Sequence, residues 1–224
     1  MAKSHATLKW IRRLAVVILA YYAVIALVLA NLKYLAPATT AVQSQRRIES
    51  WFEKPKYRKQ YVFVPLTRIS PQLQHAVIAA EDGRFYRHHG FDWEEMKVAI
   101  QEDLEEGRMR GASTISQQLV KNLFLTTRGS FVRKGLEFTI VPMAEVILGK
   151  QRILELYLNV IEWGPGVFGA EAAAQYHYKT NAASLDREQA ARLAAILPSP
   201  RRRKPARMNE YSEEIQRRMV LLGW

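Results

Sequence analysis

The chain has no cysteine in its 224 residues. Disulfides and thiolate metal centres are therefore excluded, and cysteine usage says nothing of the redox compartment. No internal repeat is present, which sets repeat architectures aside. Strand signal is scarce beyond YVFVPL at residues 61–66. Acid is scarce as well: 21 Asp and Glu stand against 33 Lys and Arg, for a net charge of +12. What is present is apolar (49%) and aromatic (10%), enough for a core in one domain or two lobes. A basic body suits an anionic partner, whether nucleic acid, anionic lipid or a phosphorylated substrate.

Residues 14–30, LAVVILAYYAVIALVLA, form an uncharged apolar run. At about 1.5 Å per residue it is near the lower limit for crossing a bilayer, and Trp10-Ile11 and Leu32 to Leu35 extend it. Lys3, Lys9, Arg12 and Arg13 precede it with no acid among them, which places the N-terminus in the cytoplasm. Trp10 and Tyr34 suit the two interfaces. Val28-Leu29-Ala30 also offers a signal-peptide cleavage site. The run is long for a signal sequence, which favours a retained anchor. On either reading the rest of the chain lies outside the cytoplasm, and the nucleic-acid reading of the charge weakens. The chain then divides into a basic tail (1–13), an anchor (14–35), a juxtamembrane connector (36–65) and a main domain (66–224). The connector carries an expected helix over Ala41–Phe52. Its basic charge suits anionic headgroups or a solvated linker.

From Ser70 the apolar pattern is helical. Helices are expected over Pro71–Asp82, Trp93–Glu106, Thr114–Phe124, Phe131–Leu148, Lys150–Asn159, Gly169–Tyr178, Asp186–Leu197 and near Asn209–Leu222. Gly107, Gly111, Gly129, Gly149 and Gly164-Pro165-Gly166 separate them. Pro142 predicts a kink in the fourth.

The chemistry concentrates in EDGRFYRHHGFDW, Glu81 to Trp93. The run before it, LQHAVIAAE, carries Glu81 on its last turn beside apolar neighbours. Such a carboxylate loses hydration, its pKa rises, and it becomes useful as an acid or base; ordinary surface is the plain alternative. In GASTISQQLVKNLF (111–124), Thr114-x-x-Gln117 is a capping-box pattern. Helical spacing puts Thr114, Gln118, Lys121 and Asn122 on one face and Ile115, Leu119 and Leu123 on another. Gln and Asn suit sugar hydroxyls and acetamido groups, and Lys suits a phosphate; a solvated face is the alternative. In RKGLE (133–137), Glu137 follows two cations by one turn, and near opposite charge a carboxylate stays ionised. A surface ion pair between Lys134 and Glu137 would look the same. In KQRILELYLN (150–159), Ile153, Leu154, Tyr157 and Leu158 are assigned to the core.

In this order the stretches resemble the peptidoglycan glycosyltransferases of family 51, in particular their monofunctional membrane-anchored members. EDGRFYRHHG (81–90), GASTISQQLVKN (111–122), RKGLE and KQRILELYLN carry the match, with residues 164–178 and LPSP (197–200) fitting more loosely. The resemblance covers about Leu66 to Pro200. It implies a mainly α, lysozyme-like fold with a smaller membrane-facing lobe, preceded by one transmembrane helix. It also implies the reaction: lipid II, an undecaprenyl-pyrophosphate-linked disaccharide-peptide, is polymerised into glycan strands with inversion and release of polyprenyl pyrophosphate. The site would be the outer face of a bacterial inner membrane. Glu81 corresponds to the general base acting on the acceptor 4-hydroxyl, and Glu137 to a second acidic residue near the donor pyrophosphate. Lys121 corresponds to a lysine that contacts the pyrophosphate. Ser113, Gln118 and Asn122 correspond to donor-site hydrogen bonders, with Arg133 and Lys134 on the same anion-binding side. Asp82, Phe85, His88 and Gly90 would shape the first loop. The family allows Mg²⁺ or Mn²⁺ between Glu137 and the pyrophosphate, and no organic cofactor. The partners implied are lipid II, the growing strand, the bilayer and cell-wall synthesis or division proteins, but no nucleic acid.

The departures are local. Gly129 stands before Ser130 where the family commonly has Arg, so the cationic role passes to Arg128. Pro142 is unusual in its helix and could shift Glu145. Tyr178 replaces a frequent Phe, and Lys179-Thr180-Asn181 replaces a Gly-Lys turn. A metal site from His88, His89 and nearby acids is a separate possibility, though adjacent residues seldom converge on one ion; Asp82 is expected to shape the loop or hold a cation. The apolar residues Phe91, Leu123, Phe124, Leu125 and Phe131 are expected to meet the bilayer. The chain carries no S-x-x-K with a K-T-G partner, so polymerisation without peptide cross-linking is expected. A glycan-cutting lytic enzyme and a non-catalytic membrane scaffold are the rival readings.

Overall fold

The computed structural model describes residues 2–52, 58–106 and 113–224. Pro55, Gly107 and Gly111 lie outside the described residues. Ten α-helices are found among those described: α1 (Ala2–Leu32), α2 (Ala41–Glu49), α3 (Pro71–Glu81), α4 (Trp93–Glu106), α5 (Ile115–Phe124), α6 (Phe131–Leu148), α7 (Lys150–Val160), α8 (Ala170–Tyr178), α9 (Arg187–Ile196) and α10 (Asn209–Leu221). The fold is mainly α, as the apolar periodicity requires.

Local sequence sets the helix ends that matter. Ser70 starts α3: its Oγ accepts from the Gln72 N–H, and Pro71 takes a first-turn position that needs no N–H. Thr114 and Gln117 close the expected capping box at α5. Ser130 caps α6 by accepting from the Arg133 N–H. The assigned α6 runs unbroken from Phe131 to Leu148 through Pro142. Pro142 is on the exposed side, where a missing helical bond costs least because water can serve the freed carbonyl.

The core has two connected parts. α3 buries Leu73, Ala76, Val77, Ile78 and Ala79 against α9 and α10. α5 buries Ile115, Leu119, Val120 and Leu123 against α6 and α7. Motif residues thus sit where the two parts meet.

The extended stretch at 61–66 gives only a two-residue strand, β1 (Gln60–Tyr61). It pairs parallel with β3 (Val167–Phe168), which pairs antiparallel with β2 (Glu162–Gly164). Val64 continues without a ladder because the buried Asn159 side chain serves it instead, accepting from its N–H and donating to its carbonyl, both at 2.9 Å. The hairpin is absent from the sequence reading, where Gly164-Pro165-Gly166 marks only a break. Strands this short show no alternation to detect. Helix α2 ends at Glu49, three residues before the expected Phe52. Lys179, in place of the family's glycine turn, takes the left-handed conformation at the end of α8 (φ 56°), the position usually given to glycine.

α1 is long and apolar enough over Leu8–Leu32 to cross a membrane. Its last third does not stand free. Ile25, Leu29 and Leu32 are buried in the core, and Tyr22 donates to Thr139 of α6 at 2.7 Å. The helix ends at Leu32, and Arg152 of α7 donates to the carbonyls of Leu32 and Leu35, both at 2.8 Å. The bond to Leu32 serves an orphan carbonyl at the negative end of the helix dipole, and the bond to Leu35 holds the turn that follows.

Candidate active site

α3 delivers Glu81 on its last turn, and Asp82 then leaves helical geometry (φ −164°, ψ 70°). The two carboxylates part there. Asp82 turns into the protein, where Oδ2 accepts from the Ile115 N–H at 2.9 Å, the first helical residue of α5. A carboxylate at a helix N-terminus meets both an orphan donor and the positive end of the dipole. His88 sits against the same carboxylate at 2.9 Å and accepts from the Gly90 N–H through Nδ1 at 3.2 Å. That pattern assigns the neutral tautomer with Nε2–H facing Asp82. Thr114 closes the loop by donating to the Gly90 carbonyl at 2.6 Å. The first motif and the start of α5 are therefore one hydrogen-bonded unit.

Phe85 is wholly buried, with the Lys150 ammonium 4.4 Å from its ring centre. Lys150 also pairs with Glu145 at 2.8 Å, and Glu145 accepts from Ser116. Gly90 has φ 95°, and a Cβ there would fall 2.5 Å from Val141 Cγ1. Gly90→Ala is expected to destabilise the fold by about 2–4 kcal/mol through strain and overpacking. The shift in denaturant midpoint measures it.

Glu81 faces a cleft of about 740 Å³ also lined by Asp82, Arg84, Ser113, Gln118, Lys121, Tyr211 and Arg218. Glu81 Oε2 accepts from Gln118 Nε2 at 2.7 Å. Burial pushes the Glu81 pKa above the ordinary carboxylate value. The Gln118 bond and Lys121 pull it back, Asp82 adds to the rise, and Arg203 opposes it. Gln118 and Lys121 lie one turn apart on α5 and present two residues of the expected polar face; Thr114 and Asn122, the other two, are buried. Burial lowers the Lys121 pKa; Glu137 and Glu81 oppose that, and Arg133 and Lys134 add to it. Lys121 is thus within electrostatic reach of both acids.

Glu137 is buried on α6. Arg133 donates to its Oε2 at 2.7 Å and Lys134 to its Oε1 at 2.6 Å. These pairs have the helical spacing of a surface pair, but the carboxylate end is enclosed. Phe138 next to it stacks on Phe91 of the first loop at 4.6 Å, holding α6 against that loop.

Asn122, Arg128, Arg133, Lys134 and Glu137 stand outside the cleft lining. Asn122 is buried and donates to the Gln118 carbonyl. Arg128 is exposed on the loop before α6. A Cβ at Gly129 would meet nothing within 4 Å, so that departure is one of charge and not of space. Ser113 lines the cleft, and its carbonyl accepts from Gln118 at 3.4 Å. Sequence reasoning missed Arg203, Tyr211 and Arg218; the run Arg201 to Lys204 directly after LPSP was the available signal for the first.

The donor set does not suit a divalent cation at Glu137. Both its oxygens already meet positive groups, and Lys121 adds a third nearby; such surroundings favour an anion. Asp82, His88 and Asp92 bring ligand-type atoms within 4.8 Å of one another. His88 has both nitrogens engaged, and Asp92 pairs with Arg84 and accepts from the Glu95 N–H. The cluster is a hydrogen-bonded scaffold. His89 is exposed.

The family model described as Transglycosylase matches residues 44–223. The chain belongs to the transglycosylase family. It is 44% identical over 214 residues to a biosynthetic peptidoglycan transglycosylase of Pseudomonas syringae pv. syringae, covering 96% of this chain and 88% of that one. It is 43% identical over 221 residues to the protein of the same name in Laribacter hongkongensis, covering 95% and 97%. As a member of the transglycosylase family the chain is a glycosyltransferase, and the cleft between α3, α5 and α10 is its candidate site. The transglycosylase match begins at residue 44, inside α2, which packs on α5. Gln45 there binds Thr127 through both amide atoms, at 2.7 and 2.9 Å, and so holds the loop that leads to α6.

Proposed function

We propose that the chain polymerises lipid II into peptidoglycan glycan strands with inversion and release of polyprenyl pyrophosphate, without transpeptidation, at the outer face of a bacterial inner membrane. Glu81 takes the proton from the acceptor 4-hydroxyl as that oxygen attacks the anomeric carbon. The departing pyrophosphate gathers negative charge, which Lys121, Arg133 and Lys134 neutralise. A pyrophosphate leaves readily, so no strong general acid is needed. Any Mg²⁺ or Mn²⁺ would enter with the pyrophosphate and not on a protein cage. The observation that carries the reading is the division of α5: Gln118 grips the base, and Lys121, one turn on, faces the cation cluster. A lytic enzyme has no use for that cluster.

The experiment is direct. Purified full-length protein is given lipid II in one reaction and finished glycan in another. Polymer from lipid II is expected, with finished glycan unchanged. Shortening of finished glycan without polymer would transfer the site to the lytic reading.

The residues expected at the bilayer divide: Phe131 is exposed as expected, and Phe91 and Phe124 are half-buried. Leu123 and Leu125 are buried in the core, whereas Phe131, Val132 and Val146 on α6 are 99%, 76% and 86% exposed. Because the chain lacks cysteine, single cysteines can be labelled cleanly. An environment-sensitive dye at Phe131→Cys is expected to shift to the blue on reconstitution into vesicles. The same dye at Glu188→Cys is expected to stay in its aqueous state. Equal spectra at both positions would exclude α6 from the bilayer surface.

A further inference from the structure

We propose that Tyr157 is a positioning residue for the base: its hydroxyl fixes the Gln118 amide so that the NH₂ group, not the carbonyl, faces Glu81. This rests on the reading of Glu81 as the general base.

Tyr157 belongs to α7 and is enclosed in the core, 1% exposed. Its Oη donates to Gln118 Oε1 at 2.9 Å. The same amide donates from Nε2 to Glu81 Oε2 at 2.7 Å and to the Ser113 carbonyl at 3.4 Å. Every polar atom of the Gln118 side chain is therefore committed; the ionised Glu81 carboxylate and the Ser113 carbonyl accept only, and the phenol can keep its own donation only in this orientation. Turning the amide over would set its carbonyl oxygen against the Glu81 carboxylate. It would also take from the buried phenol O–H the acceptor that it meets here. Glu81 alone would favour the NH₂ only while ionised; once it carries the proton, an amide with no other tie could turn. Tyr157, with the longer Ser113 bond, removes that freedom, so the site keeps a donor aimed at Glu81 and is ready to return the carboxylate to its ionised form.

Other groups face Glu81 with charge. Asp82 lies beside it, Lys121 comes from α5, and Arg203 from the loop after α9. The cleft lining adds Arg84, Asp92, Glu95 and Arg218. Tyr157 differs in acting as a neutral donor. Burial and the carboxylates of Glu81 and Asp82 raise its pKa well above the usual phenol value, so the proton on which the arrangement depends stays in place. Phe at 157 would fill the same space in the core and lack only that donor.

The test is a double-mutant cycle on full-length protein with lipid II, measuring kcat and kcat/KM against pH for wild type, Tyr157→Phe, Gln118→Ala and the double variant. Tyr157→Phe is expected to lower kcat about tenfold, with KM within about twofold, and to move the acid limb upward by about half a pH unit, because a weakened donor leaves Glu81 harder to ionise. In the Gln118→Ala background Tyr157→Phe is expected to have no further effect. An equal loss in both backgrounds, an unmoved acid limb, or unfolding of Tyr157→Phe at the assay temperature would assign the residue to the core alone and overturn the proposal. Glu81→Gln runs beside these. If it polymerises normally, the reading of Glu81 fails, which is a different result from failure of the Tyr157 cycle.

Discussion

On the proposed reading of Glu81 as the base, Glu81→Gln is expected to reduce glycan polymerisation by about 10³-fold or more in kcat while leaving the fold intact, because it would delete proton abstraction and no core packing. Gln is nearly isosteric, and its carbonyl can still accept from Gln118. The pH behaviour follows from burial. The folded-state pKa of Glu81 lies above the ordinary value, so the wild-type acid limb should fall at a higher pH than an exposed glutamate would give. Stability moves the other way. A carboxylate whose folded pKa is raised binds its proton more tightly folded than unfolded. The cost of ionising it is therefore complete above the folded pKa and vanishes below the unfolded one. Glu81→Gln removes that cost, and its melting temperature at neutral pH should equal or exceed the wild-type value. Circular dichroism melting beside a lipid II assay measures both. A variant that is both inactive and markedly less stable would mean that Glu81 is holding the structure together.

Glu137→Gln should act on both quantities in the same direction. The carboxylate is enclosed and meets Arg133 and Lys134 with one oxygen each. A neutral amide offers one acceptor and two donors, so at least one cation is left facing an N–H group. The expected losses are about 1–3 kcal/mol of stability and about 10²-fold in kcat/KM, as the cations that should meet the leaving pyrophosphate lose their fixed geometry. Removing the Lys134 charge as well should recover stability without recovering turnover. Wild-type turnover in Glu137→Gln would remove this residue from the reaction. The two variants thus separate a residue kept at the expense of stability from one that serves stability and chemistry together.

Most of this arrangement is legible in the residue pattern, and the reasons are specific. Ser70-Pro71 and Thr114-x-x-Gln117 fix helix starts because caps are local chemistry. Apolar spacing then places Glu81 on a last turn and sets Gln118 and Lys121 on one face. What the pattern does not carry is the identity of polar partners far along the chain. Gln118 meets Glu81 across 37 positions and Tyr157 across 39. Periodicity assigns Tyr157 to the core, which is where it lies, but says nothing of where its hydroxyl ends. Leu123 and Leu125 look like lipid-facing residues for the same reason: apolar character does not distinguish a core from a bilayer. Their burial is set by how α5 lies between α6 and α7. The hairpin at Glu162–Phe168 escapes because its strands, of three and two residues, are buried throughout and too short to show an alternation.

The two bonds from Arg152 to the end of α1, with Tyr22 and the buried Ile25, Leu29 and Leu32, make the link between the apolar helix and the domain a bracket and not a tether. A tethered domain tumbles over its membrane, and each encounter with a lipid-borne molecule begins with a search through orientations. Here that orientational entropy is surrendered once, at folding, and not at every encounter. In a bilayer the cleft then keeps one height and one tilt. On the function proposed above, substrate capture would reduce to a collision in the plane, between a mouth at fixed elevation and a sugar carried at the elevation of its own lipid.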